Sequence, residues 1–104
     1  HYTYRGEPVS CDLKVANIDM GNFVLELHHP VGGPSSFQEF LDTHGNGVHH
    51  IGFEVGSDRD KVIEDLAAAG LDTNRTLGIY PGSSWTIVDG EDTLGVNLNI
   101  KPVR

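Results

Sequence analysis

Two short apolar runs with a helical segment between them dominate the middle of this 104-residue chain. The first run, residues 23–27, contains Glu26, and the second run, residues 48–55, carries the pair His49 and His50 near its start. If the two runs are neighbouring strands, Glu26 and His50 can meet on one face. A carboxylate and an imidazole held together on a rigid sheet are the beginning of a divalent-metal site.

The period-two alternation of a strand divides each predicted strand into an apolar face and a polar face. Residues 23–28, 48–55 and 96–101 all show this pattern, and their apolar faces need helices packed against them. Their polar faces together would line a groove that holds Glu26, His28, His50, Glu54, Asn97 and Asn99. A merely solvated sheet face is the simpler interpretation of any single strand. The coincidence of His and Glu on several strands makes a functional groove an equally good interpretation.

The remaining elements follow from capping and turn residues. Ser36, with Glu39 three residues later, predicts a short helix that Gly45 ends. Ser57 predicts a second helix over residues 58–69, which Gly70 follows. Strands are predicted over residues 2–5, 10–19, 23–28, 48–55, 73–79, 85–89 and 94–101, and turns or breaks over residues 6–8 and 30–34.

These elements predict an α+β fold in a single domain, residues 1–104. Residues 47–101 have the order β-α-β-β-β. Residues 1–29 contain strands that look like the last three of the same unit, without its opening β-α. A chain of this length is large enough to bury one core but not two independent ones.

The charge and the cysteine content exclude several classes of function. A formal net charge of −8 argues against binding to nucleic acid or to anionic membrane surfaces. The single Cys11 excludes an intrachain disulfide framework and fits a reducing compartment, so we expect a cytoplasmic protein. No apolar run approaches the ~18 residues of a membrane span.

The stretch VLELHHPVGGPSSFQEFLDTHGNGVHHIGFEV, residues 24–55, resembles the middle of glyoxalase-type proteins of the vicinal oxygen chelate superfamily (glyoxalase, bleomycin resistance, dioxygenase). The resemblance is closest to the methylmalonyl-CoA epimerase-like and lactoylglutathione-lyase-like branch. It rests on a strand with a carboxylate or amide, a Pro-Gly break, a short helix and a Gly-x-His-His-Ile strand, and it covers nearly the whole chain. The resemblance implies a glyoxalase-like βαβββ module that follows a first module lacking its opening β-α.

The resemblance also implies a role for each matching residue. His50 and Glu26 match metal ligands, and the last strand of the family usually contributes a glutamate where this sequence has Asn99. The family's fourth ligand, a histidine on the first strand of the first module, has no counterpart in this sequence. A carboxylate at or near the metal commonly serves as the base in the family, and with Asn99 in place of that glutamate the resemblance implies Glu26 as the catalytic residue, with Glu54 as the alternative. The candidates for contact with the substrate are Asn97, Asn99, Glu54 and His28.

The implied activity is that of a divalent-metal-dependent lyase or isomerase/epimerase. Such an enzyme acts on a small oxo acid, thioester or thiol adduct through an enediolate, and the ion polarises a carbonyl. The mixed nitrogen and oxygen ligands suit Zn, Co, Ni, Mn or Fe, and ligand type does not choose among them. The alternative is a non-catalytic small-molecule-binding module of the resistance type, or an inactive truncated member.

The incomplete first module leads to an expectation about assembly. Without an opening strand and helix, the apolar face formed by Phe23, Leu25 and Leu27 would be partly exposed in a monomer. Exposed apolar patches and unpaired strand edges drive association. The family generally pairs βαβββ modules within one chain or between chains, so we expect a two-fold homodimer.

Overall fold

The computed structural model describes residues 2–81 and 83–102, apart from the side chains of Arg75 and Tyr80. Its strands are β1 (Tyr2–Tyr4), β2 (Glu7–Val9), β3 (Asp12–Asp19), β4 (Val24–Gly32), β5 (His50–Glu54), β6 (Asp72–Tyr80), β7 (Ser83–Asp89) and β8 (Asn97–Lys101). Its helices are α1 (Ser36–His44), α2 (Arg59–Ala68) and α3 (Glu91–Leu94), and a 3₁₀ turn, Gly56–Asp58, precedes α2. This mixture of elements confirms the predicted α+β class.

The strands form two sheets. Six of them follow the order β2-β1-β6-β7-β8-β5, and β3 and β4 form a separate antiparallel pair. β5 lies parallel to β8, with His50 beside Asn97 and Gly52 beside Asn99. A parallel neighbour cannot be reached by a tight turn, and α2, β6, β7 and α3 intervene between the two strands. The segment from β5 to β8 has the predicted order β-α-β-β-β with one addition, the short helix α3 between β7 and β8. The division into modules at residues 1–29 and 47–101 stays a prediction.

A hairpin occupies the start of the chain, and the turn predicted over residues 6–8 is wrong. The loop consists of Arg5 and Gly6, which lie between the paired residues Tyr4 and Glu7. Both loop residues have positive φ, 51° and 85°. Two positive φ values are those of a type I′ turn, whose twist matches that of the flanking strands. The turn therefore comes earlier than predicted, and residues 7–9 are free to form β2.

Two strand boundaries differ from those predicted by more than two residues. Pro30 lies inside β4 and does not break it. It pairs with Leu13 where the register of the two strands shifts, between Asp12 and Leu13. Proline is tolerated at such irregularities and on edge strands. At the other end of the chain, β8 begins at Asn97 rather than at residue 94, because the short helix α3 occupies the residues before it.

Helix α1 begins at Ser36, one residue earlier than it would if Ser36 were the cap, as predicted. Ser35, which has an extended backbone, is the N-cap, and its Oγ accepts a hydrogen bond from the Gln38 backbone N–H at 3.1 Å. Ser36 is the first helical residue. Glu39, the predicted capping-box partner, accepts two hydrogen bonds from the Arg5 guanidinium, at 2.8 and 3.0 Å. The prediction of a Ser36 capping box is therefore wrong, and α1 is attached to the β1–β2 hairpin instead.

Helix α2 lacks the predicted Ser57 cap, while both predicted glycine ends are confirmed. Ser57 lies in the 3₁₀ turn, and the residue before α2, Asp58, makes no side-chain capping hydrogen bond within the described residues. Gly45 follows α1 with φ of 73° and Gly70 follows α2 with φ of 94°, the left-handed region in which glycine carries no steric penalty. Helices with the length and hydrophobicity of a membrane span are absent from the described part of the chain.

The buried core lies along β7 and β8. Its most completely buried apolar side chains are Ile87, Val88, Ile100, Phe37 and Cys11. The apolar faces of β4 and β5 are exposed instead, at 54% for Phe23, 41% for Leu25, 53% for Leu27, 50% for Ile51 and 46% for Phe53. The exposure predicted for the β4 face is confirmed. The helix predicted to cover the β5 face does not do so.

Candidate functional site

A groove of about 1350 Å³ lies between β4 and β5. β5 is the last strand of the six-stranded sheet, and β4 is one of two strands in its own sheet. Each therefore has an edge that no described strand covers, and residues from both strands line the groove. Helix α1 contributes Phe37, Phe40 and Leu41 to the wall, and β7 and β8 contribute Trp85, Asn99 and Lys101.

Glu26, His28 and His50 meet in this groove. Oε1 of Glu26 lies 3.7 Å from Nε2 of His28 and 3.8 Å from Nε2 of His50. One nitrogen or oxygen from each of the three residues lies within 4.8 Å of the other two. The prediction that Glu26 and His50 lie on adjacent strands is wrong, because β4 and β5 belong to different sheets. Their side chains nevertheless converge across the groove.

The imidazoles are held in place by the residues around them. Nδ1 of His50 lies 2.8 Å from Nδ1 of His49 in a hydrogen bond, which leaves Nε2 of His50 directed at Glu26. Phe37 is stacked on His28, with ring centroids 4.9 Å apart, and also on His49, with centroids 4.4 Å apart. Phe37 lies in the first turn of α1. The capped start of that helix therefore positions the ring against which His28 and His49 pack.

The electrostatic environment keeps Glu26 ionised. The two imidazoles beside the Glu26 carboxylate hold its pKa well below its usual range, and His28 has a larger effect than His50. Burial acts in the opposite direction, because it disfavours the charged form, and the positive charge of Lys101 adds a smaller lowering of the pKa. An ionised carboxylate between imidazoles is an oxygen donor for a cation, which is what a metal site requires.

The buried nitrogens of His28 provide a test of whether a metal ion fits. Both Nδ1 and Nε2 of His28 are buried, and neither makes a hydrogen bond with the described residues. An unsatisfied buried polar atom is costly. A cation between His28, Glu26 and His50 would bind one of the two nitrogens and remove the cost at that nitrogen. The donor set therefore fits a divalent ion.

The other predicted site residues divide into two groups. Asn99 and Glu54 line the groove, and the buried Oδ1 of Asn99 has no hydrogen-bond partner among the described residues. Asn97 does not line it. The Asn97 side chain is fully buried, accepts from the Gly90 backbone N–H at 3.3 Å and donates to Oε2 of Glu91 at 2.8 Å. This placement favours a structural role for Asn97, which stabilises the turn between β7 and β8.

Three residues of the groove wall, Phe37, Trp85 and Lys101, are not among the predicted site residues. Phe37 and Trp85 are aromatic, and their sequence context does not distinguish the wall of a groove from a buried core. Lys101 alternates with Ile100 on β8 and shares its face with Asn99, so the period-two pattern contained the signal that it faces the groove. His28, predicted as a substrate contact, lies within the histidine and carboxylate cluster, where its two-residue spacing from Glu26 on one strand places it.

Comparison with known families identifies the superfamily of the chain. Residues 1–87 match the family described as the Glyoxalase/Bleomycin resistance protein/Dioxygenase superfamily. The chain therefore belongs to this superfamily, which is the vicinal oxygen chelate superfamily of the sequence resemblance. The matched residues include Glu26, His28 and His50 and end within β7, before Asn99 and Lys101. A search of curated proteins finds no match to the chain.

Proposed function

We propose that this protein is a divalent-metal-dependent lyase or isomerase/epimerase that acts on a small oxo acid, thioester or thiol adduct. The observation that carries the proposal is the convergence of Glu26, His28 and His50 in a groove large enough for a small molecule. Two imidazoles and one carboxylate are typical of catalytic metal sites, which leave positions open for a substrate. The superfamily is typically metal-dependent, which adds support.

The ligand set proposed here differs from the one that the sequence resemblance implies. Glu26 and His50 keep the roles of ligands, and His28 takes the place of the histidine for which the sequence has no counterpart. The hydrogen bond between Nδ1 of His49 and Nδ1 of His50 supports the role of His50 as a ligand, because ligating histidines usually have their second nitrogen fixed by a neighbour. The nature of the ion remains open among Zn, Co, Ni, Mn and Fe.

The residues that line the groove suggest a separate role for each polar side chain. A divalent ion held by the cluster would supply Lewis-acid polarisation of a substrate carbonyl. Glu26 is a weak proton acceptor, because its pKa lies well below its usual range. We therefore assign Glu26 to holding the ion, and Glu54, the other carboxylate on the groove wall, to accepting a proton. The unpartnered Oδ1 of Asn99 is assigned to a hydrogen bond donated by the substrate.

Metal analysis tests the proposal. Protein purified without chelator should contain about one divalent ion per chain, and His50→Ala, His28→Ala and Glu26→Gln should each lose it. His29→Ala is the matched control, because His29 is the next residue on β4 and is exposed. The absence of metal from the wild-type protein would contradict the proposal and favour the non-catalytic binding module, or an inactive member. Retention of metal in His28→Ala alone would remove His28 from the ligand set.

We also propose that the protein is a homodimer. The exposed apolar side chains of β4 and β5 support this proposal, because contiguous apolar surface drives association. Sedimentation at micromolar concentration should give a dimer, and Leu27→Glu should shift it towards monomer. Leu94→Glu, at a similarly exposed leucine on α3, is the control and should leave the dimer unchanged. A wild-type monomer near 11.3 kDa would contradict the proposal. The predicted cytoplasmic location stays a prediction.

A further inference from the structure

The groove contains a cation that the cluster does not use. Among the described residues that line it, Lys101 is the only lysine or arginine, in a chain whose formal net charge is −8. Lys101 is the last residue of β8, and its side chain is half-buried. Its ammonium makes no salt bridge or hydrogen bond with the part of the chain that the structure describes, although Glu54 lies beside it in the strand register.

The position of Lys101 relative to the cluster follows from the sheet. Lys101 shares a face of β8 with Asn99, and Asn99 pairs with Gly52 of β5. The side chain of Lys101 extends over Gly52, because a Cβ built on Gly52 would lie 3.9 Å from Cε of Lys101. Gly52 is two residues after His50 on the same strand face.

We propose that Lys101 is the anion-recognition residue of this groove and that its ligand is a small carboxylic acid, with the carboxylate bound by the Lys101 ammonium. The proposal rests on the proposed function and narrows it. Among the proposed substrates, those that place neighbouring oxygens at the cluster of Glu26, His28 and His50 and also carry a carboxylate are oxo acids, and thioesters or thiol adducts that bear a carboxylate. Neutral thiol adducts and thioesters without a carboxylate would leave the ammonium unpaired, which weakens their binding.

Calorimetric titration with oxalate tests this inference, because oxalate combines neighbouring oxygens with negative charge. Co²⁺-loaded Lys101→Gln should bind oxalate at least about tenfold more weakly than the wild type, as expected for loss of a charge-assisted hydrogen bond. Lys101→Arg should retain most of the affinity. Lys14→Gln is the matched control, because Lys14 is exposed on β3 and does not line this groove. Acetohydroxamic acid chelates through two neighbouring oxygens but has no carboxylate, so it should lose less affinity than oxalate does between the wild type and Lys101→Gln.

The outcomes separate this inference from the proposed function. Equal oxalate affinity in the wild type and Lys101→Gln, with equal metal content, overturns the role of Lys101 and leaves the metal site standing. Loss of stability in Lys101→Gln without a change in oxalate affinity also overturns it and favours a structural pairing with Glu54. If the wild type binds no metal, the proposed function fails. Titration of the metal-free wild type and Lys101→Gln with oxalate then tests the role of Lys101 by itself. Oxalate binding that depends on Lys101 then supports the anion site, and binding independent of Lys101, or none, overturns it.

Discussion

Strands β4 and β8 both alternate apolar with polar residues, but they lie in very different surroundings. Residues 24–30 read VLELHHP and residues 96–102 read VNLNIKP. β8 lies between β7 and β5, and Asn97, Asn99 and Ile100 are all buried. β4 pairs with β3 alone among the described strands, and every second residue along it is exposed. The number of neighbouring strands, rather than the sequence pattern, determines how much of each strand reaches solvent.

The polar residues of the two strands follow this difference. A buried strand between two neighbours carries amides, because burying an ionised carboxylate costs far more than burying a hydrogen-bonded amide. The open edge of β4 lets water reach Glu26, which remains ionised next to His28. β8 thus stabilises the fold and supplies the wall of the groove, whereas β4 supplies two of the three residues in the cluster.

The largest effect expected from this comparison is on stability. Ile100 and Leu27 are aliphatic residues on the apolar faces of β8 and β4, but Ile100 is 2% exposed and Leu27 is 53% exposed. Ile100→Ala should lower the free energy of unfolding by about 2 to 4 kcal/mol, because it leaves a cavity beside β7. Leu27→Ala should lower it by less than about 1 kcal/mol. Urea denaturation at dilute concentration measures both, and similar losses in the two variants would contradict the assigned roles of the strands.

The two asparagines of β8 sharpen the comparison further. Asn97→Ala should cost about 2 kcal/mol, because it leaves the Gly90 N–H unpaired and removes a hydrogen bond to Glu91. Asn99→Ala should cost less than about 1 kcal/mol, since the buried Oδ1 of Asn99 has no described partner to lose. Thermal and urea unfolding of both variants provide the measurement. A larger loss in Asn99→Ala would mean that its amide stabilises the fold rather than contacts a ligand.

The elements that were predicted correctly depend on local chemistry. Alternation gave the strands and their faces, and glycines with positive φ gave the ends of α1 and α2. The errors come from residues with two acceptable local solutions. Ser35 and Ser36 are both good caps, and only the extended backbone of Ser35 decides between them. Gly6 and Pro8 predict a turn over residues 6–8, whereas the turn in the structure consists of Arg5 and Gly6.

The candidate site was predictable only in part, for a physical reason. Period-two alternation assigns residues to faces, so Glu26, His28 and His50 were placed on polar faces from the sequence alone. Alternation says nothing about which strands share a sheet, and β4 and β5 do not. The convergence across the groove depends on the packing of two sheets and of Phe37 against the histidines. Such long-range packing has no short-range sequence signal.

A smaller effect on stability is expected at the start of α1, where Phe37 packs against His28 of β4. Ser35→Ala should cost about 1 kcal/mol, because it removes the hydrogen bond to the Gln38 N–H. Ser36→Ala should be neutral or slightly stabilising, since the buried Oγ of Ser36 has no described hydrogen-bond partner. Urea midpoints of the two single variants distinguish the caps. The reverse order of stability would restore Ser36 as the cap.

The smallest expected effect is the pH dependence that the open edge of β4 creates. The pKa of Glu26 is lower in the folded protein than its usual value of 4.5, so its ionised form stabilises the fold above that pH. This contribution is lost progressively as the pH falls below about 4.5, because the unfolded chain then binds the proton more readily. In metal-free protein, Glu26→Gln should therefore show a shallower loss of stability between about pH 5 and pH 3 than the wild type. Glu64→Gln, at an exposed position of α2, is the control and should follow the wild-type slope. Parallel slopes for Glu26→Gln and the wild type would mean that the imidazoles beside Glu26 do not favour its charged form. The carboxylate of β4 and the amides of β8 would then differ in residue type without a difference in how their surroundings stabilise charge.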